Sequence, residues 1–426
     1  MGLAILLVSL LLLLVLGVPV AFALLAASLL TFVVLDVDLV VGVQRLASGI
    51  NVFSLMAIPF FVFAGDLMYR AGIAERLVRV ADAALGRTRG GLGQVNVGAS
   101  MMFGAVSGSA VASVSALGSA LMPMMVEKGY HRDYAVNVTC TAAILGLIIP
   151  PSHNMIIYAA SAGIGVSIGD LFLAGVVPGL LAGSMLALSA WLVARQRNYP
   201  RGEFPGWYAF LRALLAAVPG LVSALIIIVG IVGGVFTPTE SAAVAVGYTL
   251  LVAFFGYRSL DLKGFGLAVT GAVRTTAMVM LIIGSAAVFG WALAVLEGPA
   301  QLAELVGQAT DSPVLVLLIV LVILLLLGTF MDMAPLIIIT TPIFLPLMMT
   351  FGMDPVHFGI VLMLALGIGL VTPPVGSVLF VGSAIGKIRI EEAVRSIWPF
   401  YLALLAALLL IAYVPAISLT LPRLLS

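Results

Sequence analysis

Gly146-Leu147-Ile148-Ile149-Pro150-Pro151 returns as Gly369-Leu370-Val371-Thr372-Pro373-Pro374, 223 residues later. Each copy sits inside an apolar stretch long enough to cross a bilayer. A Pro-Pro pair removes two backbone N–H donors and ends the helix before it. At membrane depth an interrupted helix is tolerated only where its freed backbone is buried in protein or lines a cavity. Two interrupted helices at corresponding places in two halves point to a transport site.

Outward from the motif the repeat continues. Sliding residues 121–163 forward by 223 gives ten identities, among them Pro123/Pro346, Gly129/Gly352, Gly146/Gly369, Pro150/Pro373, Pro151/Pro374 and Gly163/Gly386. Gly and Pro fix backbone shape, so their coincidence marks a structural repeat and not merely shared apolar composition. Two further segments, 91–126 and 313–351, carry Gly, Ser, Thr or Pro near the middle. Each is too long for one span and tight for two. They read as re-entrant hairpins with tips at Ser107-Gly108-Ser109 and Thr329–Asp332; ordinary helix pairs with polar packing residues are the alternative. Amphipathic stretches beginning at Gly72 and Gly298 lead into them as interfacial arms.

The expected fold is an all-α polytopic membrane protein, an inverted repeat with two re-entrant hairpins and two Pro-broken helices. The first repeat covers 1–194: scaffold spans 1–70, arm 71–90, hairpin 91–127, broken helix 133–163 and closing span 170–194. Residues 195–238 supply a linker and the extra span that inverts the second repeat. The second repeat covers 239–426: scaffold spans 239–297, arm 298–312, hairpin 313–351, broken helix 355–386 and closing span 394–421. Nine spans place 17 of the 19 Lys and Arg on one side, leaving only Arg45 and Arg423 opposite. The positive-inside rule makes that side cytoplasmic, with a cytoplasmic N-terminus and a periplasmic C-terminus.

Composition narrows the function. The 426 residues are 63% hydrophobic and 9% charged, against roughly 25% charged in a soluble domain. A net charge of +1 with no basic tract gives no footing for nucleic acid. Cys140 is the only cysteine, and His131, His153 and His357 match no metal-ligand spacing. No phosphate-binding Gly loop with its Lys is present, so ATP is not expected as a direct energy source. Residues 3–35 are apolar and contain Ala21-Phe22-Ala23, which looks like a signal-peptidase site. No positive residue precedes Arg45, and the run is too long for a signal core, so it reads as one retained span.

The breaks can do chemistry. One stump of a broken helix offers bare carbonyls, the other bare N–H groups. Carbonyls suit a small hard cation such as Na⁺, and a helix N-terminus suits an anion. The first-half candidates are Ser107, Gly108, Ser109, Gly146, Ile149 and Pro151, with Ser152 and Asn154 placed to donate to a substrate carboxylate. The second-half candidates are Gly328, Thr329, Asp332, Gly369 and Thr372. Asp332 is the only acid expected deep at a hairpin tip, where a charge is costly and usually has a function. Capping the helix after it is its structural alternative.

Taken together, Ile58-Pro59-Phe60-Phe61, Phe103-Gly104-Ala105-Val106-Ser107-Gly108-Ser109, Ile149-Pro150-Pro151-Ser152 and Thr372-Pro373-Pro374-Val375-Gly376 carry a family resemblance. The chain resembles the large membrane (M) subunit of tripartite ATP-independent periplasmic transporters, the TRAP family, along essentially its whole length. The resemblance implies a Na⁺-driven importer of the bacterial or archaeal cytoplasmic membrane, working by an elevator motion. It implies two partners, a small four-helix membrane subunit as a separate chain and a periplasmic binding protein that delivers an organic acid. It implies two or more Na⁺ as coupling ions: around Ser107, Ser109, Gly146, Ile149 and Pro151, and around Gly328, Thr329, Gly369 and Thr372. Ser107, Ser152, Asn154 and Asp332 are the expected substrate contacts. His153-Asn154 and Ser377-Val378 depart from the commonest family pattern and are similar to members associated with sugar acids. The implied substrate is therefore a sugar acid or a C4-dicarboxylate. A self-sufficient Na⁺-coupled carboxylate symporter is the alternative within transport. An intramembrane enzyme would need a His-Glu-x-x-His or paired-acid site that the chain lacks, and the duplicated breaks disfavour a passive pore.

Overall fold

The computed structural model describes residues 2–163, 165–202, 204–298, 300, 301, 304, 310 and 312–425. Its named elements are all helical. The first apolar run is not one span. It forms α1 (Gly2–Val15) and α2 (Val20–Val34), which pack on each other. Gly17, at φ +79, and Pro19 turn the chain between them. A methyl on Gly2 would lie 3.4 Å from Leu35 Cδ2, so the two ends of the run meet. Each arm is about 21–23 Å long at 1.5 Å per residue. The single first span expected over 3–35 is therefore a hairpin, because a Gly and a Pro punctuate an otherwise uniform apolar run.

Next come α3 (Val40–Ile50), α4 (Ala57–Arg70) and α5 (Ile73–Leu85). No helix is expected over 36–50, yet α3 packs along α14 (Leu262–Val295). There the Arg45 guanidinium lies over the Trp291 ring, 5.4 Å from its centre. Helix α5 lies where the first arm is expected. It buries Ile73, Leu77, Val80 and Ala81 on one face and turns Glu75 and Arg79 outward. Arg76 pins its start to the scaffold, lying 3.6 Å above the Tyr257 ring and donating to the carbonyls of Ala71 and Gly72. The second arm, over 298–312, falls largely outside the described residues.

The first hairpin is α6 (Gly91–Ser107) and α7 (Ala110–Glu127). The first broken helix is α8 (Arg132–Ala143) with α9 (Leu145–Ile148), then α10 (His153–Ala162) after the break, and α11 (Ile168–Gln196) closes the unit. The extra span is α12 (Trp207–Val232), followed by α13 (Pro238–Leu251), which starts on a Thr237–Glu240 capping box with Pro238 in its first turn. Helix α14, 34 residues long, starts on an Asp261 cap. The second hairpin is α15 (Pro313–Gly328) and α16 (Met333–Thr350), and the second broken helix is α17 (Pro355–Gly369) and α18 (Ser377–Gly386). Helix α19 (Ile390–Ser396) then leads into α20 (Trp398–Tyr413) and α21 (Ala416–Leu425). The expected single closing span over 394–421 is interrupted at Val414-Pro415, where Pro removes a donor.

Packing sorts the helices into two bodies. Helices α1–α4 and α12–α14 pack among themselves as a scaffold, and the hairpins, broken helices and closing helices form the other body. Within that second body the halves interlock: α10 packs on α16, and α18 packs on α7. The linker after α11 folds back onto the base of the first hairpin. There Gly90 N donates to Pro200 O at 3.1 Å, Arg197 pairs with Asp133 at 2.9 Å, and the Tyr199 ring sits 4.5 Å from that of Tyr130.

Each hairpin crosses its own broken helix glycine on glycine. A methyl on Gly328 would lie 2.9 Å from the Cα of Gly369, and one on Gly104 or Gly146 would strike the Cα of the other. Only the lack of a Cβ lets these backbones approach so closely. Gly146→Ala and Gly369→Ala should each destabilise the protein by about 1–3 kcal/mol through overpacking. The check is a lowered thermal unfolding midpoint in detergent. Gly247→Ala, where a methyl meets nothing within 4 Å, should leave the midpoint in place.

Candidate functional site

The two breaks share a backbone. Pro150-Pro151 and Pro373-Pro374 are both cis. Their freed carbonyls fare differently. At the second break Gly369 O accepts from Thr372 N at 2.8 Å, Leu370 O from Val378 N at 3.1 Å, and Val371 O from the Tyr401 hydroxyl. Ile368 O is taken by Val371 N and by Thr372 Oγ1, the latter at 2.8 Å. At the first break the carbonyls of Gly146, Leu147, Ile148 and Ile149 accept no hydrogen bond among the described residues. The Ser152 hydroxyl just beyond them is fully buried and also has no partner among the described residues.

Each hairpin tip is tied to its break. At the first tip Gly108 takes φ +61, and its carbonyl accepts from Asn154 Nδ2 at 2.8 Å. A methyl on Gly108 would lie 2.5 Å from His153 Nδ1, so the tip is pressed against the start of α10. Ser107 Oγ and Ser113 Oγ are 2.9 Å apart, and Ser109 caps α7 by accepting from Ala112 N. At the second tip Thr329 O accepts from Gly376 N at 3.0 Å, and Thr329 Oγ1 donates to Leu326 O. Asp332 holds the cap position of α16 but makes no capping hydrogen bond, which leaves its carboxylate exposed.

A cavity of about 400 Å³ opens where both tips face the scaffold. Ser107, Ser109 and His153 line it from the first half, and Asp332 and Pro335 from the second. Scaffold helices α4 and α14 add Asp66, Tyr69, Gly271 and Thr275. Among the described residues no Lys or Arg lines it. The volume lies within the range of small-ligand pockets, roughly 300–1,000 Å³.

Ser107 and Asp332 are thus brought together. Ser152 and Asn154 do not line the cavity: Ser152 is fully buried, and the Asn154 amide donates to the carbonyl of Gly108 at the hairpin tip. His153, between them, faces the cavity instead, because the α10 helix turns successive side chains about 100° apart. Asp66 is a functional candidate that the sequence reading passes over. Its signal was an acid within an apolar segment, four residues before Arg70, with which it pairs at 3.2 Å.

Over residues 7–417 the chain matches the family described as tripartite ATP-independent periplasmic transporter, DctM component. It is 37% identical over 400 residues to the 2,3-diketo-L-gulonate TRAP transporter large permease protein YiaN of Escherichia coli, covering 94% of each chain. It is 40% identical over 409 residues to the isethionate TRAP transporter permease protein DctMQ of Oleidesulfovibrio alaskensis, covering 95% of this chain and 64% of that one. Its fold superposes on the crystal structure of the Alcanivorax borkumensis YdaH transporter with a TM-score of 0.61 at 15% identity, covering 87% and 86% of the two chains. At that identity the likeness is one of fold. A match spanning nearly the whole chain, with the duplicated breaks and hairpins to support it, makes this chain a member of the DctM component family of tripartite ATP-independent periplasmic transporters.

Proposed function

We propose that this chain is the transport subunit of a Na⁺-driven, binding-protein-dependent importer of an organic acid, working by an elevator motion. The observation that carries the reading is the first break. Four consecutive carbonyls and the buried Ser152 hydroxyl lack a partner there among the described residues. Leaving a buried polar group unpaired costs about 1–3 kcal/mol each. Oxygen-only ligands around a small hard cation remove that cost. The second break spends most of its carbonyls on protein donors. A cation there relies on the acceptor lone pairs of Thr329 and Thr372.

The cavity supports coupling too. It presents Asp66 and Asp332 and, among the described residues, no cationic side chain. An anion entering alone meets like charge, and a co-bound cation offsets it. Two Na⁺ entering with a monoanion move net positive charge inward. Each charge then gains roughly 2.3 kcal/mol per 100 mV of membrane potential.

The same reading supplies the partners: a small membrane subunit braces the scaffold, and a periplasmic protein delivers the acid. The side holding 17 of the 19 cations is cytoplasmic. Because Gly2 lies beside Leu35, the N-terminus shares the side of Arg45. It moves to the periplasm, while the cations stay where a single first span would leave them. The scaffold part of the cavity wall runs from Asp66 and Tyr69 of α4 to Gly271, Thr275 and Ile282 of α14.

Two experiments check this. Uptake into proteoliposomes should require Na⁺, the small subunit and the binding protein together, and Ser107→Ala or Asp332→Ala should abolish it while the protein still inserts. Uptake unchanged without Na⁺ removes the coupling, and uptake without the binding protein points to a self-sufficient symporter. For topology, Leu3→Cys should react with a membrane-impermeant thiol reagent from the periplasmic side. Cys140, being fully buried, keeps the background low, and labelling only from the cytoplasm would return the N-terminus to the inside.

A further inference from the structure

Asp66 is the one acid that the scaffold presents to the cavity, among the described residues. It is built in. Its Oδ2 lies 3.2 Å from Arg70 Nε, and Gly271 of α14 makes room for it, since a methyl there would lie 3.0 Å from that oxygen. Its Oδ1 accepts no hydrogen bond from the described residues, and Arg70 is not part of the cavity wall. Asp332 is likewise uncapped. A bound molecule therefore meets two carboxylates that can only accept hydrogen bonds.

The two acid classes expected here differ in what they bring to such a wall. A C4-dicarboxylate without hydroxyls brings two negative charges and no donors. A monocarboxylate with several hydroxyls brings one charge and O–H donors for both carboxylates. Discrimination of this kind works by repulsion as much as by attraction. A site built to take substrate O–H groups also penalises a molecule that leaves its acceptors unpaired. We infer that Asp66 is a specificity-determining residue: with Asp332 it selects a hydroxylated monocarboxylic acid and rejects a dicarboxylate. The inference rests on the transport reading of this cavity.

The test uses the purified complex of this chain with its small subunit, in Na⁺. Gluconate and succinate are the two probes, and thermal stabilisation on titration gives an apparent affinity for each. Wild type should favour gluconate by about tenfold or more, and Asp66→Asn should shrink that preference about tenfold. Arg70→Ala breaks the same ion pair but should keep the preference, which separates selection from a purely structural role. Equal stabilisation by the two acids in wild type overturns the inference, even if the variant does not assemble. So does stabilisation by neither acid, or an unchanged ratio in Asp66→Asn. Uptake by the reconstituted wild-type complex is scored separately; its failure for every acid counts against the transport reading, not against Asp66 alone.

Discussion

The carbonyl groups freed by the two Pro-Pro pairs are the constraint on which the rest of this structure depends. Nothing in a bilayer can pair with them, so the fold must bring something that does. The second break uses protein: Thr372, Val378 and Tyr401 turn its oxygens inward onto their own donors. The first break does not: among the described residues four of its oxygens accept no hydrogen bond, and the buried Ser152 hydroxyl beside them has no partner. One motif, written twice, thus ends in two different hydrogen-bonding environments. The difference lies partly in residue types: Thr372 adds a hydroxyl where the first copy has Ile149. Mostly it lies in the donors that neighbouring helices bring to each stump.

Glycine then sets where the hairpins sit. Gly104 on Gly146 and Gly328 on Gly369 let each hairpin lie almost backbone to backbone across its broken helix. That places each tip against its own break, where Asn154 holds the first and Gly376 N the second. The interlocked halves do the rest. With α10 packed on α16 and α18 on α7, both tips belong to one body and arrive at one cavity. The proposed elevator motion, a moving site against a fixed wall, would need a cavity lined in this way by both tips and by two scaffold helices.

The sequence made the breaks, the tips and the first arm legible because Gly, Pro and amphipathic spacing act locally. It hid the features that depend on tertiary contact. Residues 3–35 are so uniformly apolar that Gly17 and Pro19 carry little weight against the run, and only the meeting of Gly2 with Leu35 reveals a hairpin. Helix α3 is ordered by the flank of α14, which no local pattern announces. At the site, Ser107 and Asp332 were readable as polar groups at breakers. Ser152 and Asn154 have the right chemistry beside the break, yet of the three residues that open α10 only His153 lines the cavity, and the Asn154 amide is bonded to Gly108. Asp66 went unread because an acid one turn from a helix end, with Arg70 after it, looks like an ordinary surface pair.

The site also answers a question about charge. A protein that carries an organic acid would be expected to greet it with Lys or Arg, and this cavity offers neither among its described lining residues. A fixed cation would hold the anion equally well on both sides of the membrane, and binding that is uniform along a path does not drive movement. A mobile cation differs, because its concentration and the membrane potential set how often it is present on each side. Fixed carboxylates disfavour the anion until such a cation has bound, and they lose that compensation when it leaves. On the proposed Na⁺-coupled reading, a wall without a basic residue is what would tie the acid to the ion. The carbonyls of residues 146–149, which accept no hydrogen bond among the described residues, are where that proposal puts the start of the tie.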